Sequence, residues 1–306
     1  VLSNVETWTK QAPSQTEQRR PGVVDRRRSL LVGLDFSGPS HRALARAIDV
    51  ARDHDAHVHV LHAVPPMTSA VGRFLRESRS LELARDELER VTAQVGSTGL
   101  PARAHFFVAG VTRALRSVAS DVRADLVVVG TSGPALSSAV VGSTAERVAA
   151  VTRQPVLMVR RAVLKPYQQV IVGVTPLSDL KRLLEAARLV APSAQQSLLH
   201  AYEDPYENAL VLDGASQASL RARRVEARRE ARDRLMAVVT EAGLDPDEII
   251  LTNGSSRRVL DLEDREHRRN HTLFVLGRER SSVGQLLFGS VSRWLISRGE
   301  CDVLLV

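Results

Sequence analysis

In the stretch VVVGTSGPALSSAVVGSTAERV, residues Val127 to Val148, an apolar run ends in Gly130. Gly133 follows, a small polar loop comes next, and Gly142 then precedes Ser143 and Thr144. Glycines let backbone N–H groups approach an anion without interference from a Cβ. A helix opening just after this loop would turn its N-terminus toward the same point, and the hydroxyls would add donors. The chemistry open to these residues is therefore phosphate binding. The plain alternative is a turn that leads a strand into a helix.

Other residues could do chemistry but have simpler readings. His54, His57, His59 and His62 lie close together in DHDAHVHVLH. His57 and His59 would share one face of a strand, a spacing that admits metal chelation, yet surface and strand-end histidines explain the pattern better. No metal is expected. The segment Ser219–Val238 reads as an arginine-rich helix in which Glu226 and Glu230 balance nearby arginines at helical spacing. It and the cluster Arg26–Arg28 are weak candidates for an acidic partner. No G-x-S-x-G elbow, no G-x-x-x-x-G-K-Ser/Thr loop and no assignable acid/base carboxylate pair is present. Catalysis is not required by anything in the sequence.

The elements that must position the glycine loop come from a repeat. LLVGLDFSGPSHRALARAIDVARDHDAHVHVLHAVPP in the first half matches VIVGVTPLSDLKRLLEAARLVAPSAQQSLLHAYEDP in the second. Gly33 corresponds to Gly173 and His62 to His200. Further on, Gly130 corresponds to Gly277, Gly142-Ser143 to Gly289-Ser290, and PVLMV to DVLLV, all at one common offset. Several anchors in one order mark two copies of one plan. Within each copy, short Val/Leu-rich runs alternate with amphipathic ones. Leu44, Ala47, Ile48 and Ala51 fall on one helical face. Strands apolar on both faces want helices on both sides, so the fold class is α/β, with two tandem doubly wound parallel sheets.

The expected organisation is a flexible polar tail over 1–28, a first domain over 29–161, a linker over 162–169 and a second domain over 170–306. The last apolar run ends at Val306 and needs a partner strand. Pairing with its counterpart in the first copy would make the chain a pseudo-symmetric intramolecular dimer. Association of two chains is left open.

Composition narrows the class. Of 306 residues, 43% are hydrophobic, enough for two real cores, and 25% are charged, the usual share for a soluble protein. Only 4% are aromatic, which argues against a binder of single-stranded nucleic acid, where rings stack on bases. The net charge of +7 favours anionic ligands, but the arginines are mixed with acids, so nucleic acid is not the expected partner. A single cysteine, Cys301, reads as a buried thiol in a reducing compartment. No apolar run approaches the ~20 residues of a membrane span, and the N-terminal residues lack the apolar core of a secretory signal. The expectation is a cytoplasmic protein that does not contact a membrane.

LVGLDFSGPSHRAL, VHVLHAV, ADLVVVGTSG and VVGSTAERVAAVTRQPVLMVRR together resemble the universal stress protein family, over residues 29 to 306 as a tandem pair. The resemblance implies a flavodoxin-like, adenine-nucleotide α-hydrolase-like fold with five parallel strands in each copy. In nucleotide-binding members an aspartate follows the first strand, and a G-x-x-G, nine-residue, G-Ser/Thr pattern holds the phosphates. Carried over, Asp35 would contact the adenosine end and Ala63 would offer backbone to adenine. Gly130, Gly133, Gly142, Ser143 and Thr144 would line the phosphates of ATP or another adenine nucleotide, with Mg²⁺ as accompanying ion in the ATP case. Two departures stand out. Eight residues separate Gly133 from Gly142, and Pro134 removes one backbone donor. The second copy has Thr175 in place of the aspartate and Arg280 in place of the second glycine, which makes it a degenerate site. The resemblance implies a stress-response regulatory protein that meets an unidentified protein partner and is at most a slow ATP hydrolase. The rival reading is a ligand-free scaffold.

Overall fold

Apolar runs bounded by glycine, proline and charge become buried strands, and the amphipathic runs between them become helices that cover those strands. The computed structural model describes residues 7–11, 27–65, 79–131, 144–245, 249–267, 271–280, 286–287 and 290–306. These form two compact units, 1–164 and 165–306.

The first unit runs β1 (Thr7–Gln11), β2 (Ser29–Gly33), α1 (Gly38–His54), β3 (His57–Val64), α2 (Arg79–Ser97), β4 (Ala102–Val108), α3 (Val111–Asp121), β5 (Leu126–Gly130), α4 (Thr144–Val151) and β6 (Val156–Val159). Its strand order is β1-β4-β3-β2-β5-β6. All pairs are parallel except β1 with β4. Leu30, Leu31 and Val32 of β2, Val127 and Val128 of β5, and all of β6 are fully buried, so this sheet centre is dry on both faces. The helix face read from the sequence is in place. Leu44, Ala47 and Ala51 of α1 are buried, joined by Ala43 and Val50, while Ile48 sits at the margin. The segment read as a tail contains β1. Its TWTKQ sequence carries β-formers, and an antiparallel strand satisfies the otherwise open edge of β4.

The second unit repeats the plan: β7 (Gln169–Gly173), α5 (Leu180–Val190), β8 (Gln195–Tyr202), α6 (Glu207–Leu212), α7 (Gln217–Glu241), β9 (Ile249–Asn253), α8 (Ser256–His267), β10 (Thr272–Leu276), a two-residue pair β11 (Glu279–Arg280) and β12 (Leu286–Leu287), α9 (Ser290–Arg298) and β13 (Asp302–Leu305). The order β9-β8-β7-β10-β13 is parallel throughout and reproduces β4-β3-β2-β5-β6. Small hydrogen bonds repeat as well. Thr131 N–H meets the Val159 carbonyl at 3.0 Å, as Arg278 N–H meets that of Val306 at 2.9 Å. Tyr167, in the segment read as a linker, is buried and donates to Asp302 Oδ2 at 2.6 Å, so this residue belongs to the second unit. Cys301 is buried as expected. Asp264, also buried, accepts the N–H groups of Glu300 and Cys301 at 2.8 and 2.9 Å and fixes the entry to β13.

Two packing details concern the first unit. A Cβ built on Gly130 would lie 2.3 Å from both the carbonyl carbon and oxygen of Pro39 and 2.6 Å from Ser40 N. The end of β5 therefore touches the first turn of α1 backbone to backbone, which only glycine permits. Gly277, the counterpart in the second unit, has nothing nearer than Leu183 Cδ2 at 3.9 Å. The other detail is a buried histidine pair. His59 of β3 and His105 of β4 share a 3.0 Å hydrogen bond from ring nitrogen to ring nitrogen. His59 is thus a core residue and not the surface histidine the sequence suggested. Burial, then the charges of His105, His57 and Arg103, push the pKa of His59 down to about 3. Burial and Arg103 push His105 down to about 4.

Two outcomes follow. Gly130→Ala should destabilise the chain by about 1–3 kcal/mol through overpacking against rigid backbone, whereas Gly277→Ala should be close to neutral in the same calorimetric scan. Equal effects would contradict the backbone contact. The histidine pair is neutral when folded and protonates near 6.5 when unfolded, so below that pH the unfolded chain binds more protons. The contribution is complete above pH 6.5 and is lost as pH falls toward the folded values near 4 and 3. Urea midpoints should fall over that window, and the double variant His59→Leu, His105→Leu should flatten the slope. An unchanged slope would rule the pair out as its cause.

Candidate functional site

The site is built where β2 ends and its two neighbours lead in opposite directions, β3 on one side and β5 on the other. In an open parallel sheet the crevice beyond these carboxyl ends is where ligands sit. In the first unit Leu34 N–H extends the ladder to the Leu61 carbonyl at 2.8 Å, and Asp35 follows, exposed at the rim. Phe36 then takes a left-handed conformation at φ 60°, a strained choice for a large side chain that swings the chain into α1.

Asp35 is held by the helix start. Its Oδ1 accepts the Ser37 N–H at 3.0 Å and also the Ser37 hydroxyl. Its own N–H donates to Ser40 Oγ at 3.3 Å. Ser37 is the N-cap of α1, and Ser40 Oγ returns a hydrogen bond to the Ser37 carbonyl at 3.0 Å. Partial burial alone would raise the Asp35 pKa, but the hydrogen bonds from Ser37 and Ser40 outweigh it and hold the carboxyl below its ordinary value. The group is therefore an oriented anion at neutral pH. Both hydrogen bonds from Ser37 fall on Oδ1, so the carboxylate keeps acceptor capacity on Oδ2.

His62 stands behind this turn. Its Nδ1 donates to the Leu34 carbonyl at 2.8 Å, since a carbonyl only accepts. Its ring packs against Phe36 at 4.5 Å between centroids and against Phe106 at 5.8 Å, and Arg85 covers Phe106 from 4.9 Å. His200 repeats the bond to the Val174 carbonyl at 2.8 Å. These two histidines are thus latches between the first and second strands of each copy, which explains their repetition. Ala63 follows His62 in β3, half-buried and paired in register with Phe107.

Asp35, Ala63 and Gly130 therefore converge on the carboxyl ends of β2, β3 and β5. Thr144 opens α4, while Gly133, Gly142 and Ser143 lie outside the described residues. Among the described residues no group of three or more His, Cys, Asp or Glu converges as metal ligands. His105 and the seating of α1 on Gly130 are what the sequence reading missed. A glycine at a strand end signals close approach but does not say of what.

The second unit differs at the same points. Thr175 Oγ1 contacts Ser178 Oγ at 3.1 Å and accepts the Leu177 N–H at 3.3 Å, so a neutral hydroxyl replaces the anion. The cap of α5 moves to Asp179, which accepts from Arg182 N–H at 3.1 Å. After β10 the chain folds into the β11–β12 ribbon, with Arg280 paired to Leu286 and Glu279 to Leu287. The expected helical salt bridges of α7 are instead mostly ties to the loop after β8 and to the start of α6. Arg223 grips buried Asp204 through its Nε at 3.0 Å and reaches Glu230, and Arg224 holds Glu207.

Comparison with known proteins agrees with this architecture. The model of the universal stress protein family matches residues 26–160 and again 166–306. Universal stress protein G of Shigella flexneri and of Escherichia coli O157:H7 are each 32% identical over 127 residues, 40% of this chain and 89% of theirs. The crystal structure of a universal stress protein from Archaeoglobus fulgidus superposes with a TM-score of 0.65 at 18% identity, covering 90% of this chain and 97% of that one, a likeness of fold. No helix among the described residues is long and apolar enough to cross a membrane. With two family matches in tandem and one α/β plan drawn twice, the chain belongs to the universal stress protein family.

Proposed function

We propose that the first unit binds an adenine nucleotide, ATP or AMP, and that the second unit does not. In this reading the chain is a regulatory protein of the stress response whose ligand alters how it meets a protein partner. The observation that carries it is the oriented Asp35 carboxylate. Its Oδ1 is tied into the cap of α1, and in this reading Oδ2 is the acceptor for a ribose hydroxyl. Beside it stands the N-terminus of α1, capped by Ser37 and favourable to negative charge. Ala63 offers backbone for the base one strand away, and the segment Gly133–Thr144 supplies donors for the phosphates. Mg²⁺ would accompany ATP on its phosphate oxygens, and no residue of this chain is assigned to it. No base is assigned for hydrolysis.

The contrast between units supports the division of labour. Thr175 is neutral and satisfied by Ser178, and the turn after β10 is paired as a ribbon. A scaffold with both crevices unused is the rival, favoured by the short loop between Gly133 and Gly142 and by Pro134.

Isothermal calorimetry separates the two. The parent chain should bind ATP or AMP at a stoichiometry of one. Asp35→Ala should weaken binding by roughly 10- to 100-fold, the worth of a hydrogen bond to a charged group. Thr175→Ala should leave affinity unchanged. No heat from the parent at millimolar nucleotide would favour the scaffold, and undiminished binding by Asp35→Ala would move the site elsewhere.

A further inference from the structure

The helices that follow the second parallel strand of each unit, α2 and α7, present opposite charge on the same spacing. On α2, Glu82, Asp86, Glu89 and Ala93 fall at i, i+4, i+7 and i+11, one stripe of the helix. Glu82, Asp86 and Ala93 are exposed, Glu89 is half-exposed, and Leu83 beside them is 58% exposed. The opposite side is the buried one, with Leu88, Val91, Thr92 and Val95 facing the sheet. Among the described side chains of α2, Arg90 is spent on Glu87 and Arg85 lies over Phe106. Glu82, Asp86 and Glu89 have no ion pair among the described residues.

On α7 the same four positions of the pattern hold Arg221, Val225, Arg228 and Arg232, with Arg229 and Met236 alongside. Val225 is 70% exposed and Met236 40%. The buried side is a separate row, Leu220, Ala227, Ala231, Leu235 and Val239. Arg223 and Arg224 turn away from the stripe to Asp204 and Glu207. Arg221, Arg228 and Arg229 are exposed and have no ion pair among the described residues. The helix thus divides its arginines between holding the fold and facing outward.

We propose that two copies of this chain associate through these stripes, the acidic face of α2 in one copy lying along the basic face of α7 in the other. The matched period brings Glu82 and Glu89 opposite arginines two helical turns apart. Arginine pairs with carboxylates through two parallel N–H groups, which gives the contact direction. Leu83 and Ala93 on one side, and Val225 and Met236 on the other, supply the small apolar component. Single-stranded nucleic acid fits the stripe less well, because the stripe alternates arginine with aliphatic residues and offers no aromatic side chain on which bases could stack. A bilayer would need a broader apolar face than Val225 and Met236 provide. The contact joins different surfaces, so each copy uses one of each. Exposed ion pairs are individually weak and screened by salt, so the association is concentration-dependent, with a dissociation constant on the order of 100 μM. The inference is independent of nucleotide binding.

Sedimentation velocity on the full chain tests it. The parent should self-associate at about 20 mM salt and do so roughly tenfold more weakly at about 300 mM. R221E/R228E reverses one stripe and E82R/E89R reverses the other; each alone should lose roughly tenfold or more in association, and their equimolar mixture should regain it. Glu82, Arg221 and Arg228 are exposed and Glu89 is half-exposed, and the neutral R221Q/R228Q variant with a parental circular dichroism spectrum guards against misfolding. A parent that stays a single species at low salt, or self-association that survives both reversals, or a mixture that fails to recover, would overturn the proposal. So would arginine-dependent binding of a DNA duplex by a parent that does not self-associate, since the stripe would then serve a polyanion.

Discussion

The contact between Gly130 and the first turn of α1 organises the first unit. Two segments of backbone meet where any side chain on Gly130 would strike the Pro39 carbonyl. This contact seats the start of α1 directly over the end of β5, at the place where the sheet changes direction. Ser37 and Ser40, which open the helix, are thereby fixed beside Asp35, and the carboxylate is oriented before any ligand arrives. The glycine has a structural task whether or not a phosphate is present. Its counterpart Gly277 has no such neighbour, and there the helix start is rebuilt around Asp179 with a neutral Thr175 at the rim. One close approach, kept in one copy and relaxed in the other, separates two units of the same topology.

Preorganisation is the physical theme of the candidate site. A carboxylate already held by two donors from Ser37 loses little freedom when a ligand hydroxyl arrives, so less of the interaction is offset by ordering. His62 adds to this by locking the Leu34 carbonyl to the neighbouring strand, and Phe36 accepts a strained backbone in the same turn. Strain of this kind persists only where the surroundings over-determine it. Here they do: the ladder bond of Leu34 lies on one side and the N-cap of α1 on the other. The same logic runs through α7, where Arg223 and Arg224 tie the helix to the loop after β8 and to the start of α6, while Arg221, Arg228 and Arg229 are exposed.

Much of the fold was legible in the sequence because its signals are local. LLVG, HVHVLHAV and LVVVG are apolar runs ended by breakers, and the alternation with amphipathic segments allows few topologies. The repeat multiplied that information, since Gly33 and Gly173, or His62 and His200, each corroborate the other. Other features depend on residues far apart in the chain. His59 meets His105 across two strands and 46 positions, so alternation alone suggested a surface histidine. Strand β1 was unreadable because a short polar TWTKQ run becomes a strand only when the β4 edge is there to pair with it. The function of Gly130 was half legible. The need for a missing Cβ showed in the residue type, but the partner that needed the space was α1, more than ninety residues earlier.

The central claim is that the first unit has a preorganised crevice for an adenine nucleotide and the second has none. Backbone amide shifts of labelled protein, followed during titration with AMP, test this most directly. The account predicts saturable movement of the amides from Leu34 to Ser40 and at Ala63, with those of Thr175 to Asp179 unmoved. Shifts confined to the second unit, or an unchanged spectrum at millimolar AMP, would contradict it.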